Sequence, residues 1–472
     1  MNLPELLCPA GDLSRLRAAI DYGADAVYLA GESMGMRTAC RNFTVAQLKE
    51  AVTLAHSRGK KVYLACNAML RNDQAAALGE LAVQWAACGV DALIVGDLGA
   101  LRVVKRILPD MPVHISVQTG LANYEAVRMM ADLGACRAIL ARELSLDEIA
   151  EIRAKTPASI ELEAFVHGSM CVSVSGRCLL SDYLTAEDST STASPALSRD
   201  TDVSPVSEHK AAHGGQNIPS GFCMGDISSD QRQASDGCAP SCPSDTAAPL
   251  VCRSGNGGDC AQPCRWKYAL VEEKRPGEYY PIAQTEAGSF LLNSRDLCMI
   301  SHLPTLAAAG VSSLKIEGRA KSVYYTAVTA NAYRCALDEW KSAGCPADFQ
   351  PSNWIKEELN KVSHRPYDTG FYLGGRGGQH TAQGGYVRDW AVMGVVADYE
   401  DGRLFVSQRN KLRIGDTVEL LEPGQPPFPV TVSELQDADG MAIESTPHPT
   451  MLYSFACPRP FRSGTLLRKA AD

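Results

Sequence analysis

A chain of 472 residues, 45% of them hydrophobic and 21% charged, has enough apolar material for a large core and for more than one domain. Its formal charge of −9 excludes a nonspecific nucleic-acid binder working through a global basic field, but not an enzyme that grips one folded RNA with a local patch. No apolar run reaches the length of a membrane span, and the first residues, MNLPELLCPAGD, carry acids instead of a basic and then apolar leader, so a soluble cytoplasmic protein is expected.

From Glu5 onward short β-like runs alternate with helical ones. The runs are ELLCPAG (5–11), ADAVYLAG (24–31), KKVYLACNAM (60–69), VDALIVGD (90–97), PVHISVQT (112–119), CRAILARE (136–143), SIELEAFVHG (159–168) and, after a gap, SSLKIEGR (312–319). Amphipathic segments such as TVAQLKEAVTLAHSRG and NYEAVRMMADLG separate the first seven, many ending in Gly as a helix C-cap should. Eight strands interleaved with helices and closed by SVYYTAVTANAYRCALDEW predict an α/β fold, a TIM-like (β/α)8 barrel over 1–345. A doubly wound open sheet is the alternative, but no G-x-G-x-x-G follows the first strand.

The alternation breaks over 185–259, which is rich in Ser, Thr, Asp, Pro and Gly. Such a stretch buries too little apolar area to offset its chain entropy, so it reads as a disordered loop insertion. Residues 346–385 read as a linker. The runs AVMGVVADY, GRLFVSQ and DTVELLEP that follow, with turn residues between them, predict a small C-terminal β-barrel-like domain over 386–472.

In such a barrel the active site lies at the C-terminal ends of the strands. Polar residues collect there: Asn67 after strand 3, Gln118 in strand 5, Arg142 and Glu143 after strand 6, Asn293, Arg295 and Asp296 in LLNSRDL, and Glu317 and Arg319 in KIEGR. Along strand 7, Ile160, Leu162, Ala164 and Val166 share one face, and Glu161, Glu163, Phe165 and His167 share the other. If the apolar face meets the helices, Glu163 and His167 point into the barrel mouth, as catalytic groups or as a structural ion pair and an orienting hydrogen-bonder.

There are 17 cysteines. Cys66, Cys88, Cys136 and Cys335 sit in amphipathic segments and read as free core thiols. Cys171 and Cys178, in a Gly- and Ser-rich loop after strand 7, and Cys260 and Cys264, in GNGGDCAQPCRWKY, have no core to fill. Four loop thiols converging on one end of a barrel point to a metal or cluster. The second pair's spacing suits zinc, and the wider first pair suits an iron–sulfur cluster at least as well. Cys238 and Cys242 share the C-x-x-x-C spacing but stand in the insertion, where nothing preorganises them.

The stretch EAFVHGSMCVSVSGRCLLS resembles the signature of the peptidase U32 family, as do CPAGD, GADAVYLAG, ARELSLDEI, CAQPCRW, LNSRDL and LKIEGR. The family name records a collagenase-like protease, whereas several relatives are hydroxylation factors for tRNA wobble uridine, for a cytidine of 23S rRNA, or in ubiquinone synthesis. The resemblance implies a [4Fe–4S] cluster on Cys171, Cys178, Cys260 and Cys264, prephenate as co-substrate, and tRNA, gripped at its anticodon loop, as partner. It implies accessory proteins for cluster delivery as well. The overall length resembles the tRNA branch most. A U32 collagenase-like peptidase and a 23S rRNA cytidine hydroxylase are the alternatives, yet the chain has no G-x-S-x-G and no H-E-x-x-H. Candidate site residues besides the cysteines are Glu163, His167, Arg295, Asp296, Glu317 and Arg319. Basic residues in QRNKLR (408–413) and PRPFRSGTLLRK (458–469), interleaved with Phe461, offer a phosphate-binding patch.

Overall fold

The structure is a computed structural model that describes residues 3–36, 42–171, 173, 284–285, 288–289, 294–375, 378 and 386–471. The expected insertion over 185–259 lies outside the described residues, as do Cys178, Cys260, Cys264 and Asn293.

Seven parallel strands run in sequence order: β1 (Glu5–Pro9), β2 (Ala26–Leu29), β3 (Lys61–Cys66), β4 (Ala92–Val95), β5 (Val113–Ile115), β6 (Arg137–Ile139) and β7 (Glu161–Ser169). The eighth barrel strand, Ser313–Ile316, pairs in parallel with β1 on one side (Glu5 opposite Ser313) and with β7 on the other (Glu163 opposite Ser313), so the sheet closes into the expected barrel. AVYL in β2 and ALIV in β4 are buried throughout, because each strand of a closed barrel is covered on both faces.

Between the strands lie α1 (Leu13–Asp21), α2 (Val45–Ser57), α3 (Asn72–Ala87), α4 (Leu98–Ile107), α5 (Tyr124–Asp132) and α6 (Leu146–Lys155). Their first turns are satisfied by side chains that the sequence places just ahead of them: Asp12, Asp97 and Asn123 accept from the backbone N–H three residues on, and Thr44 with Gln47 and Ser145 with Glu148 form capping boxes. A long helix, Val323–Ser342, closes the ring against β1 and α1.

Two short strands extend the barrel wall beyond β7. Asp296–Cys298 pairs antiparallel with the end of β7, and Tyr367–Asp368 pairs with Asp296–Cys298. Residues 346–385 are therefore more than a linker, since they also hold the helix Asn353–Asn360. Beyond them, seven antiparallel strands from Trp390 to Ala470 form one sheet around their own core, which includes Val396, Leu404, Val418, Leu420, Tyr453 and Phe455. Val392, Leu421 and Leu466 of this half-barrel join the main core instead, so the two units share apolar contact.

Cys8, Cys66, Cys88 and Cys335 are free buried thiols, and Cys136 is half-buried. Burial pushes the Cys66 thiol up to about 12, which keeps it protonated and inert.

Candidate active site at the barrel mouth

The interior of the barrel begins with a plug of charge at the N-terminal ends of the strands. Arg137, on β6, donates to Glu5 at 2.7 Å, to Glu161 at 2.7 Å and to Glu163 at 3.1 Å. Tyr63 donates to Glu5 at 2.7 Å, and Ser313 bonds both Glu5 and Glu163 at 3.2 Å. Lys315, one step nearer the mouth, donates from Nζ to Glu163 Oε1 at 2.7 Å. Burial pushes the Glu163 carboxyl up, but Lys315 and Arg137 outweigh it and hold the group below the usual carboxylate range. His114, against the Tyr63 ring, is pushed down to about 3 by burial and then by Arg137, so it is neutral.

Above this plug opens a cavity lined from seven of the eight strands or the loops that follow them. Tyr28, Ala65, Ile94, Ile139 and Phe165 supply its apolar surface, and Asn67, Ser116, Gln118, Arg142, Lys315, Glu317 and Arg319 its polar groups. Asn67 donates to Ser116 Oγ at 3.2 Å and accepts from the Met36 amide at 3.2 Å, which fixes the amide's orientation. Arg142 stacks over the Phe165 ring with 5.3 Å to its centroid, and Lys315 lies 4.5 Å from the Tyr28 centroid and 5.5 Å from that of Phe165. Three cations against one carboxylate, Glu317, give the mouth an excess of positive charge.

The expected site residues divide accordingly. Glu317 and Arg319 line the cavity, as do Asn67, Gln118 and Arg142. Gln118 stands in a 3-10 turn, Val117–Thr119, just past β5 and not within it. Glu163 does point into the barrel, but beneath the cavity and already paired.

His167 is a correction. The pairing of β7 with Ser313–Ile316 shifts register, Phe165 facing Lys315 but His167 facing Ile316. One extra residue on β7 turns His167 out of the mouth, as a bulge does. Its ring packs against Tyr325 and Tyr333 of the helix Val323–Ser342 and against Tyr367 at 5.3–6.0 Å, and burial drives it down to about 3.

Asp296 and Arg295 also stand outside the mouth, because their strand pairs on the far side of β7. Asp296 is fully buried against Arg365, which donates to it from the backbone amide at 3.1 Å and from Nε at 2.8 Å. Arg295 is partly exposed and lies 4.0 Å from Asp368.

Cys171 lies two residues past the end of β7 and is exposed, with Sγ 2.8 Å from Ser173 Oγ. The strand end that carries it is held by Arg142, which donates to Ser169 O at 3.4 Å, and by Arg365, which donates to Met170 O at 3.2 Å. Among the described residues no group of three or more His, Cys, Asp or Glu side chains is placed to hold a metal.

Sequence reasoning missed Lys315, Tyr28 and Ser116 as cavity residues. For Lys315 the signal was present: in SSLKIEGR, Ser313, Lys315, Glu317 and Arg319 alternate with Leu314 and Ile316, which puts all four on the inward face. Tyr28 sits in an apolar run where nothing distinguishes lining from core.

The profile of peptidase family U32 matches residues 11–193 and 246–382, and that of the peptidase family U32 C-terminal domain matches 388–468. The chain is similar to tRNA hydroxylation protein P1 of Bacillus subtilis, 29% identical over 99% of this chain and 94% of that protein. It is 34% identical to tRNA hydroxylation protein P of Escherichia coli over 95% of this chain and 92% of that one. It is also 30% identical to the 23S rRNA 5-hydroxycytidine C2501 synthase of Escherichia coli, over 71% of this chain but only 39% of the synthase.

Proposed function

The chain belongs to peptidase family U32, and from that membership we propose that it is an RNA-modifying enzyme that hydroxylates tRNA, at C5 of the wobble uridine, with prephenate as co-substrate and a [4Fe–4S] cluster as cofactor. One observation carries the reading: likeness to tRNA hydroxylation proteins runs nearly end to end in both chains, whereas likeness to the rRNA synthase covers a minor part of that protein. The cationic, aromatic-walled cavity supports it, because Arg142 and Arg319 suit a carboxylated co-substrate.

Cys171 fits one thiolate of the cluster site, being exposed just past the C-terminal end of β7; Cys178, Cys260 and Cys264 complete the proposed set from outside the described residues. A cluster held there would supply one-electron chemistry, and accessory proteins would deliver it. The chain's own residues fix the cysteine-bearing strand end through Arg142 and Arg365 and orient the co-substrate through the cavity. An anticodon loop offers an unstacked base at little cost, and the exposed Lys411 and Arg413 offer phosphate contacts. Arg409 suits that role less well, since its guanidinium is bonded to Ser407 Oγ at 3.0 Å and Gln408 O at 2.8 Å. The chemistry is that of a cytoplasmic enzyme, and no helix among the described residues is long and apolar enough to cross a membrane.

A peptidase pairing Cys171 with His167 as nucleophile and base is disfavoured by the direction of His167, which faces the tyrosines of the helix layer. Nucleoside mass spectrometry of tRNA and rRNA from a deletion strain tests the proposal. Loss of 5-hydroxyuridine from tRNA, restored by the wild-type chain and not by Cys171→Ala, is expected. Unchanged tRNA with a missing rRNA hydroxycytidine would overturn it.

A further inference from the structure

Lys315 stands where the two halves of the barrel interior meet. It is 4% exposed, yet it lines the cavity floor, with the rings of Tyr28 and Phe165 beside its ammonium. Among the described residues its one hydrogen bond is to Glu163 Oε1, which uses one of three N–H donors. Glu163 does not belong to Lys315 alone: its other oxygen takes Arg137 at 3.1 Å and Ser313 at 3.2 Å. The carboxylate is thus shared between two cations, and the two remaining N–H donors of the ammonium are left for a group in the cavity.

We propose that Lys315 is the anchoring cation of the cavity, gripping a carboxylate of a small unsaturated organic acid whose carbon skeleton lies against Tyr28 and Phe165. This rests on the reading that the cavity receives an organic-acid co-substrate. A buried ammonium flanked by aromatic faces binds an anion strongly, because little water competes for either partner. A rival role, attack of a neutral Lys315 amine on a substrate carbonyl to give an imine and water, needs a base for the ammonium proton. The nearest one, Glu163, already accepts from Lys315 at 2.7 Å, from Arg137 at 3.1 Å and from Ser313 at 3.2 Å, so it is occupied as a counter-ion, and no second base is bonded to Lys315 among the described residues.

The test is calorimetric binding of prephenate and phenylpyruvate to the full-length protein, purified anaerobically, as wild type, Glu163→Gln, Lys315→Met and the double variant. The double variant removes both charges together and leaves no unpaired ion, so it guards against misfolding. Lys315→Met and the double variant are expected to bind prephenate at least tenfold more weakly, with Glu163→Gln binding as tightly as wild type or more so. A loss of less than tenfold in the double variant, a tenfold loss in Glu163→Gln, or no binding of either acid by the wild type would overturn the assignment. So would a mass increment on wild type after borohydride reduction with prephenate, the mark of an imine. Restoration of 5-hydroxyuridine in the deletion strain by the wild-type chain separates failure of this assignment from failure of the functional reading.

Discussion

His114 and His167 are both buried imidazoles held neutral, each pushed from about 6.5 to about 3 chiefly by burial. In the unfolded chain both take up a proton near pH 6.5, so acid favours unfolding. The stability they contribute is full above about pH 6.5 and falls as the pH drops toward 3, by about 1.4 kcal/mol per pH unit for each histidine. Urea unfolding between pH 6.5 and 5 is expected to show this slope, and His114→Phe with His167→Phe to remove most of it; an unaltered slope would place the titration elsewhere. Arg319, only 5% exposed and lining the cavity, carries a second prediction at this scale. Arg319→Lys keeps the charge and loses the planar fork, so tRNA hydroxylation is expected to fall about tenfold or more with the melting temperature nearly unchanged. Activity within twofold of wild type would make Arg319 a structural residue.

The bulge in strand β7 decides which of that strand's side chains reach the site. Phe165 enters the cavity, His167 leaves it, and Gly168 follows with φ of +108°. A Cβ on Gly168 would lie 2.5 Å from Glu317 O and 3.1 Å from Glu317 Cβ. Gly168→Ala therefore combines a left-handed backbone with a collision against a cavity residue, and about 1–3 kcal/mol of destabilisation is expected by urea denaturation. Because the displaced backbone is that of Glu317, hydroxylation should fall further than the lost stability accounts for. The loops after β3 and β4 show the same close fit, since a Cβ on Gly96 would meet Asn67 O at 2.3 Å and so disturb a lining residue.

At the scale of the molecule, the half-barrel is locked to the barrel by buried charge. Arg468 is fully buried and donates to Glu358 at 2.5 Å, to Glu419 from Nε at 2.9 Å and to the Tyr324 hydroxyl at 3.1 Å. Lys361 adds bonds to Glu419 at 2.9 Å and 3.0 Å, and Tyr22 donates to Leu421 O at 2.8 Å. Arg468→Met leaves the buried Glu358 with Lys361, at 3.0 Å, as its remaining cation, so destabilisation at the lower end of about 3–5 kcal/mol is expected; Glu358→Gln combined with Arg468→Met should recover much of it. If the single and double variants unfold alike, the contact between the units does not depend on this network. Such a lock keeps any RNA contact made by Lys411 and Arg413 at a fixed position relative to the barrel.

The sequence alone determined the barrel, because strand length, helix period and capping residues are local and repeat eight times with one meaning. It marked the C-terminal face as the candidate site, where the cavity opens, and the alternation in SSLKIEGR already held Lys315, Glu317 and Arg319 on one inward face. Only the tertiary structure decided the fates of His167, Asp296 and Arg295. Period-two alternation assumes an unbroken strand, whereas the bulge in β7 appears only when Ser313–Ile316 pairs with it. Likewise nothing within LLNSRDL tells that Asp296 meets Arg365, a partner 69 residues away, outside the barrel wall. Pairings across the barrel and beyond its edge are long-range choices of burial and charge, and they exist only once the ring has closed.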